Sequence, residues 1–286
     1  MKISATSVML PRHDLREAAA LLGELGFDGA EWRCRYVPAN QAQADYSFWG
    51  RHAYDLRPDN LRERGPEMLR VSTDHGLAVP CLATNVAATD LDTVRLLAAG
   101  CGELGVPAFK VGAPRGWSPA EHYPTLLDDS RRAYEAVVAI CAEHGVKALL
   151  EVHRGTVAMS PTMAYLVVRD FDPAHLGVIF DIANMSLGQG FEPPEVGLAL
   201  LGAHVAHVHA GGGRPRPTDR RADGQQAWAW DTVDLADSML DTAGFLAALQ
   251  ASGYAGYVTF EDFRGEAPET LLARNLAFLR SCEAGA

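Results

Sequence analysis

Short apolar runs alternate with longer amphipathic stretches along the whole chain. Runs at residues 3–9, 29–33, 78–83, 108–112, 147–151, 176–181, 204–209 and 257–261 read as buried β-strands. Between them, 15–25, 61–75, 91–104, 120–144, 159–170, 193–201 and 238–252 show helical periodicity, and 267–283 closes the chain as a further helix. Several helical stretches end in glycine shortly before a strand, at Gly26, Gly76, Gly105, Gly145 and Gly253. That is the chemistry of a helix C-terminus. The alternation predicts an α/β protein, a single (β/α)8 TIM barrel over residues 1–286. A doubly wound open sheet is the competing architecture, but no G-x-G-x-x-G follows the first strand. No short-period repeat, low-complexity tract or long Pro/Gly linker divides the chain.

Four of the predicted strands finish on residues able to ligate a metal: Glu151, Asp181, His209 and Glu261. In a parallel barrel the C-terminal strand ends form the active-site face. Side chains alternate across a strand, so His207 shares a face with His209, Thr259 with Glu261, and Ile179 with Asp181. Parity therefore lets all four end residues point into the barrel mouth. Three carboxylates gathered there would repel one another unless a cation sat among them. Three carboxylates and an imidazole suit Mn²⁺, Mg²⁺ or Co²⁺, with Zn²⁺ also accepting that set.

Composition narrows the partners. The 286 residues are 48% hydrophobic and 21% charged, with a formal net charge of -11. That charge opposes a nucleic-acid backbone. The five cysteines are scattered without a C-x-x-C pair, which suits neither a disulfide framework nor a zinc clip. No run approaches the ~20 apolar residues of a membrane helix, and the first ten residues lack the apolar core of a secretory signal. The expectation is a soluble cytoplasmic protein with a small-molecule substrate. Two connections are unusually long, residues 35–60 and 210–237. Both would emerge on the active-site face, and both carry aromatic residues that suit a pocket cover.

The segments GFDGAEW (26–32), LLEVHRG (149–155), GVIFDIANM (177–185), HVHAGG (207–212) and GYAGYVTFEDF (253–263) occur in this order. With them the chain resembles the sugar phosphate isomerase/epimerase family of xylose isomerase-like TIM barrels over nearly its full length. The resemblance implies that Glu151, Asp181, His209 and Glu261 hold one divalent metal, Mn²⁺ or Mg²⁺ foremost. It also implies that Glu151 and Glu261 are catalytic, one removing and the other returning a proton at a substrate carbon while the metal stabilises an enediolate. A homo-oligomer acting on a sugar-like molecule is implied as well. Two positions depart from the ketose epimerases of that family. Asn184 stands where they commonly have a substrate-touching His, and Gly211–Gly213 precede Arg214 where they often carry an acidic residue and an Arg. These departures leave the metal site intact and turn attention to other proton-abstraction reactions on it.

The substrate-binding candidates are His153, Arg154, Asn184, Lys110, Arg214 and Trp32. His153 shares parity with Glu151, and Lys110 could bind a substrate oxygen or pair with Glu151. Arg154 and Arg214 could take an anionic group bidentately. One of Glu31, Trp32 and Arg33 should line the pocket, and His207 reads as a packed core residue. The leading function is a metal-dependent isomerase or epimerase of a polyhydroxy carbonyl compound. A lyase or dehydratase on the same site is the alternative, and a non-catalytic sugar-binding or partner subunit is the reading from a different class.

Overall fold

A computed structural model describes residues 1–186 and 192–284. Eight parallel strands close into a barrel: β1 (Lys2–Thr6), β2 (Gly29–Arg33), β3 (Leu82–Ala83), β4 (Ala108–Lys110), β5 (Lys147–Glu151), β6 (Leu176–Asp181), β7 (Val205–Ala210) and β10 (Tyr257–Phe260). Around them run α1 (Leu15–Leu25), α2 (Leu61–Asp74), α3 (Leu91–Leu104), α4 (Tyr123–His144), α5 (Pro161–Val168), α6 (Ile182–Ser186), α7 (Pro194–Leu201), α8 (Thr242–Ala251) and α9 (Pro268–Ala284). The strands are buried on both faces because each is covered by helices outside and by barrel filling inside. Outward residues such as Trp32, Phe180, Val208 and Phe260 belong to the large core between barrel and helices. The predicted TIM barrel is thus the observed one. Helix-ending Gly26 and Gly145 adopt φ of 91° and 65°, the left-handed turn that glycine enters without a Cβ clash.

The departures have local causes. The predicted strand 3–9 stops at Thr6, and Ser7–Met9 turns instead as a short 3-10 segment capped by the Thr6 hydroxyl. The predicted strand 78–83 keeps a single bridge at Ala78 and two ladder residues, because Pro80 lacks the N–H that a ladder needs. The connection 210–237 is not an irregular cover. It is an antiparallel hairpin of β8 (Gly212–Arg220) and β9 (Gln226–Val233). Its Pro215 and Pro217 and its run of arginines hide strand character, yet a two-stranded ribbon tolerates proline because each strand has an open edge. Arg264 and Arg274 both pair with Asp234 just beyond β9, which ties the base of the hairpin to the loop after β10 and to α9.

The barrel interior has an apolar part and a polar part. Cys81, Ala108, Leu149 and Ile179 make a small apolar plug. Beside it runs a buried chain of polar groups. The Ser4 and Thr259 hydroxyls lie 2.6 Å apart, Thr259 Oγ1 lies 2.8 Å from His207 Nε2, and His207 Nε2 lies 3.0 Å from Glu31 Oε2. This stack sits directly beneath the barrel mouth. His207 is a hydrogen-bonded core residue, as its depth in the strand suggests.

Candidate active site

His209 ends the inward face of β7 and is 2% exposed. Its Nε2–H donates to Glu31 Oε2 at 2.9 Å. The same oxygen also accepts from His207 Nε2 at 3.0 Å and from the Cys81 thiol at 3.2 Å. Burial pushes the Glu31 carboxyl up, but the adjacent His209 charge and the histidine hydrogen bonds outweigh it and hold the group well below the usual carboxylate range. An ionised Glu31 fixes the His209 ring and directs its other nitrogen into the mouth, the arrangement by which a carboxylate orients a metal-binding histidine.

That other nitrogen, Nδ1, lies 3.2 Å from Glu151 Oε1, 3.4 Å from Glu261 Oε2 and 3.8 Å from Asp181 Oδ2. It is buried and within ion-pair distance of all three, yet aligned for a hydrogen bond with none of them. Glu151, Asp181 and His209 each offer one ligand atom within 4.8 Å of the others. A second trio, Glu31, His207 and His209, meets the same spacing. There the shared Glu31 oxygen is already taken by three donors, so that trio is a hydrogen-bonded support. The first trio, with Glu261 beside it, is the set that fits a hard divalent cation: oxygen-rich, one imidazole, and a central nitrogen that makes no hydrogen bond.

Electrostatics agree with that choice. Burial and the neighbouring charges of Asp181 and Glu151 push Glu261 up to about 8, although His209 and Lys110 pull the other way. Glu151 is also buried, but Lys110 Nζ at 2.7 Å and His209 hold it below its ordinary value. Burial works against protonation of His209, yet Glu31 and Glu261 raise it well above its usual value. The pocket has more buried negative charge than its own cations neutralise, and it retains protons as a result. A divalent cation would displace them.

Asp181 is fully buried, and its two oxygens accept from the Asn184 backbone N–H (2.8 Å) and side-chain amide (2.5 Å). Asp181 therefore caps α6, and Asn184 holds the carboxylate in place while also lining the cavity. Lys110, His153 and Arg154 line the cavity too, and Lys110 forms the anticipated ion pair with Glu151. His153 Nδ1 bonds to the Arg154 carbonyl at 2.7 Å, and Arg154 is exposed at the rim. Two anticipated residues are placed elsewhere. Trp32 points outward between barrel and helices, donating to Ser72 Oγ of α2 at 2.9 Å, because strand alternation gives the inward place to Glu31. Arg214 is exposed on β8, opposite Asp231, and does not line the cavity.

The cavity has a volume of about 230 Å³. Its wall includes residues that sequence reasoning did not single out: Arg35, Asn85, Thr232, Asp262 and Phe263. Trp49, from the long connection after β2, also lines it and packs on Phe263 with ring centroids 4.6 Å apart. Within the same connection His52 and Tyr54 are buried beneath the surface, so only part of its aromatic content covers the pocket. For Glu31 a signal did exist: charged, aromatic and charged residues alternate at 31–33. Arg35 lies beyond the strand end, where periodicity says nothing.

The comparisons with known proteins agree with this architecture. The apo 3-keto-D-glucoside 4-epimerase YcjR of E. coli superposes with a TM-score of 0.70 at 17% identity, covering 99% of this chain and 100% of that one. A xylose isomerase-like TIM barrel protein from Mycobacterium smegmatis, in complex with magnesium, gives 0.67 at 16% identity over 98% and 96%. At those identities the likeness is one of fold. An uncharacterized protein of Methanocaldococcus jannaschii is 28% identical over 100 residues, so the match spans 34% of this chain and only 33% of that relative. Among the described residues no helix is long and apolar enough to cross a membrane. The family profile for xylose isomerase-like TIM barrels matches residues 18–282, and the chain belongs to that family.

Proposed function

We propose that the protein is a divalent-metal-dependent isomerase or epimerase of a sugar or related polyhydroxy carbonyl compound. The observation that carries this reading is His209 Nδ1, buried without a hydrogen bond and within ion-pair distance of Glu151, Asp181 and Glu261 together. A cation held by these four, Mg²⁺ or Mn²⁺ before Co²⁺ or Zn²⁺, supplies Lewis acidity toward a carbonyl oxygen and its neighbouring hydroxyl. Magnesium in the M. smegmatis neighbour and sugar epimerisation by the E. coli neighbour support the reading. Glu151 and Glu261 flank the Asp181–His209 pair from β5 and from the end of β10, so they address one substrate carbon from different sides. Lys110 keeps Glu151 ionised and ready to take a proton, and Glu261, after taking up a proton from solvent, would return one to the same carbon. The substrate would be a small sugar-like molecule, with no nucleic acid involved. The protein would work in the cytoplasm as a homo-oligomer.

The test is solvent exchange. Metal-reloaded protein is incubated with a panel of ketoses in D₂O, and deuterium at the carbon next to the carbonyl is followed by NMR. Glu151→Gln and Glu261→Gln should each lower exchange by about 10²–10⁴-fold while substrate still binds. Full activity in both variants would refute the mechanism. An ultraviolet-absorbing unsaturated product would instead assign elimination to the same site.

A further inference from the structure

We propose that the substrate carries a carboxylate and that Arg35 binds it, which makes the natural ligand a sugar acid or related hydroxy-keto acid. This rests on the metal-site reading above and adds the chemistry of the substrate's far end. Arg35 lies just beyond β2, where the chain is pinned by Cys34 N–H to the Ala83 carbonyl at 3.0 Å and by Arg35 N–H to the Leu56 carbonyl at 3.1 Å. Its side chain is 8% exposed and lines the cavity. Nε donates to the Ala83 carbonyl at 3.2 Å, and the guanidinium carbon lies 5.4 Å from the centre of the Trp49 ring. These contacts orient the guanidinium and leave its two terminal nitrogens without a hydrogen bond among the described residues. No carboxylate stands within ion-pair distance of it either.

Among the other cations near the barrel mouth, Lys110 is committed to Glu151, Arg264 pairs with Asp262 and Asp234, and Arg33 donates from Nη2 to the Gly50 carbonyl, while Arg154 stands exposed to solvent at the rim. A largely buried guanidinium whose two-pronged end opens only into the cavity is placed to be completed by an anionic ligand there. Arg35 could instead serve as counter-charge to the acidic cluster, but it pairs with none of those carboxylates, whereas Lys110 does. Its position also suits a ligand. The metal-binding residues come from β5, β6, β7 and β10, while Arg35 and Asn85 line the wall after β2 and β3. A small molecule chelated at one wall presents its other end to Arg35.

The planar fork of a guanidinium matches the two oxygens of a carboxylate. A phosphate dianion fits less well, because one free guanidinium faces it and Glu31 and Glu151 lie close enough to act on Arg35 electrostatically. Phosphate sites ordinarily gather several N–H groups at a helix N-terminus.

Calorimetric titration of the metal-loaded protein tests this with D-gluconate and D-glucuronate against D-sorbitol and D-glucose, and with D-glucose 6-phosphate as the phosphate probe. The acids should bind roughly tenfold or more tightly than their neutral counterparts. Because a carboxylate can also chelate metal, Arg35→Gln decides the cause: it should abolish the preference without weakening Mn²⁺ binding, which loss of a nearby positive charge can only favour. Arg35→Lys, which keeps the charge but not the fork, should retain part of it. Undiminished Mn²⁺ affinity and unchanged thermal melting certify that the variants are folded. Equal binding of acid and neutral probes, no binding of either acid, a preserved preference in Arg35→Gln, or tighter binding of the phosphate ester would each overturn the proposal. A wild type that binds no Mn²⁺ would refute the metal-site reading separately, since the acid preference can also be measured on the metal-free protein.

Discussion

The two walls of the barrel mouth are built by different means. On the β5–β6–β7–β10 side, the candidate groups are strand-end residues, and three of the four are locked by a neighbour. Asn184 holds Asp181, Glu31 holds His209, and Lys110 holds Glu151. On the β2–β3 side, the groups come from connections. Arg35 and Trp49 are positioned by a backbone carbonyl and by ring packing, with no ion pair. The difference teaches where chemistry and specificity reside. A constellation proposed to hold a cation gains from the rigidity of a ladder, whereas a wall proposed to select a ligand can be set on loops.

The largest effects should follow from breaking the rigid wall. His209→Ala removes both the central nitrogen and the group that Glu31 orients. Mn²⁺ affinity should fall by more than 100-fold, read by calorimetry or by the EPR signal of free Mn²⁺. Glu31→Gln keeps an acceptor for His209 Nε2–H but removes the charge behind it. Affinity should fall by roughly 10–100-fold, the range for losing a group that orients a metal ligand, while the ligands themselves remain. If Glu31→Gln bound Mn²⁺ as tightly as wild type, Glu31 would be only barrel filling.

A gentler perturbation is pH. With no metal, Glu261 holds its proton up to about 8, and His209 is held protonated above its ordinary value. Both protons must leave as a cation binds, so Mn²⁺ affinity should rise with pH, through the Glu261 step near 8 and on into the range where His209 gives up its proton. Proton release measured in buffers of different ionisation heat checks this. Linkage gives the stability of the metal-free protein the opposite trend. Unfolded Glu261 loses its proton near 4.5 but folded Glu261 keeps it to about 8, so the unfolded chain binds fewer protons in that window. Its contribution to stability therefore declines as pH rises across it. His209 adds the same sign above 6.5. Added Mn²⁺ should flatten the decline in a thermal-melt series. Asn184→Ala should act more weakly still, lowering affinity a few-fold, because the Asn184 backbone N–H continues to hold Asp181.

The same contrast decides what could be read from residues alone. Strand ends are visible because an apolar run that stops at a ligand leaves a signature, and parity then assigns the face. Glu151, Asp181, His209 and Glu261 were accessible in that way. Glu31 needed one further step, the register Thr6↔Glu31 between β1 and β2, which places it inward and Trp32 outward. The hairpin β8–β9 was obscured because Pro215, Pro217 and the arginines carry no apolar alternation, and a ribbon exposed on both faces needs none. Arg35 was hidden for a related reason. Its importance comes from Ala83 and Trp49, contacts made across 48 and 14 residues of chain that no local pattern encodes.

Trp32 gives the smallest effect on the site and the sharpest control on that register. It is adjacent to Glu31 and fully buried, yet its indole N–H bonds to Ser72 Oγ and its ring meets Tyr54 edge-on at 5.6 Å. Trp32→Phe should therefore leave Mn²⁺ affinity and the acid preference unchanged. It should cost about 1–2 kcal/mol of stability through the lost hydrogen bond and some unfilled volume, read in denaturant unfolding. A loss of metal affinity comparable to that of Glu31→Gln would mean that the two faces of β2 are coupled. The separation of a chemical interior from a structural exterior would then not hold on this strand.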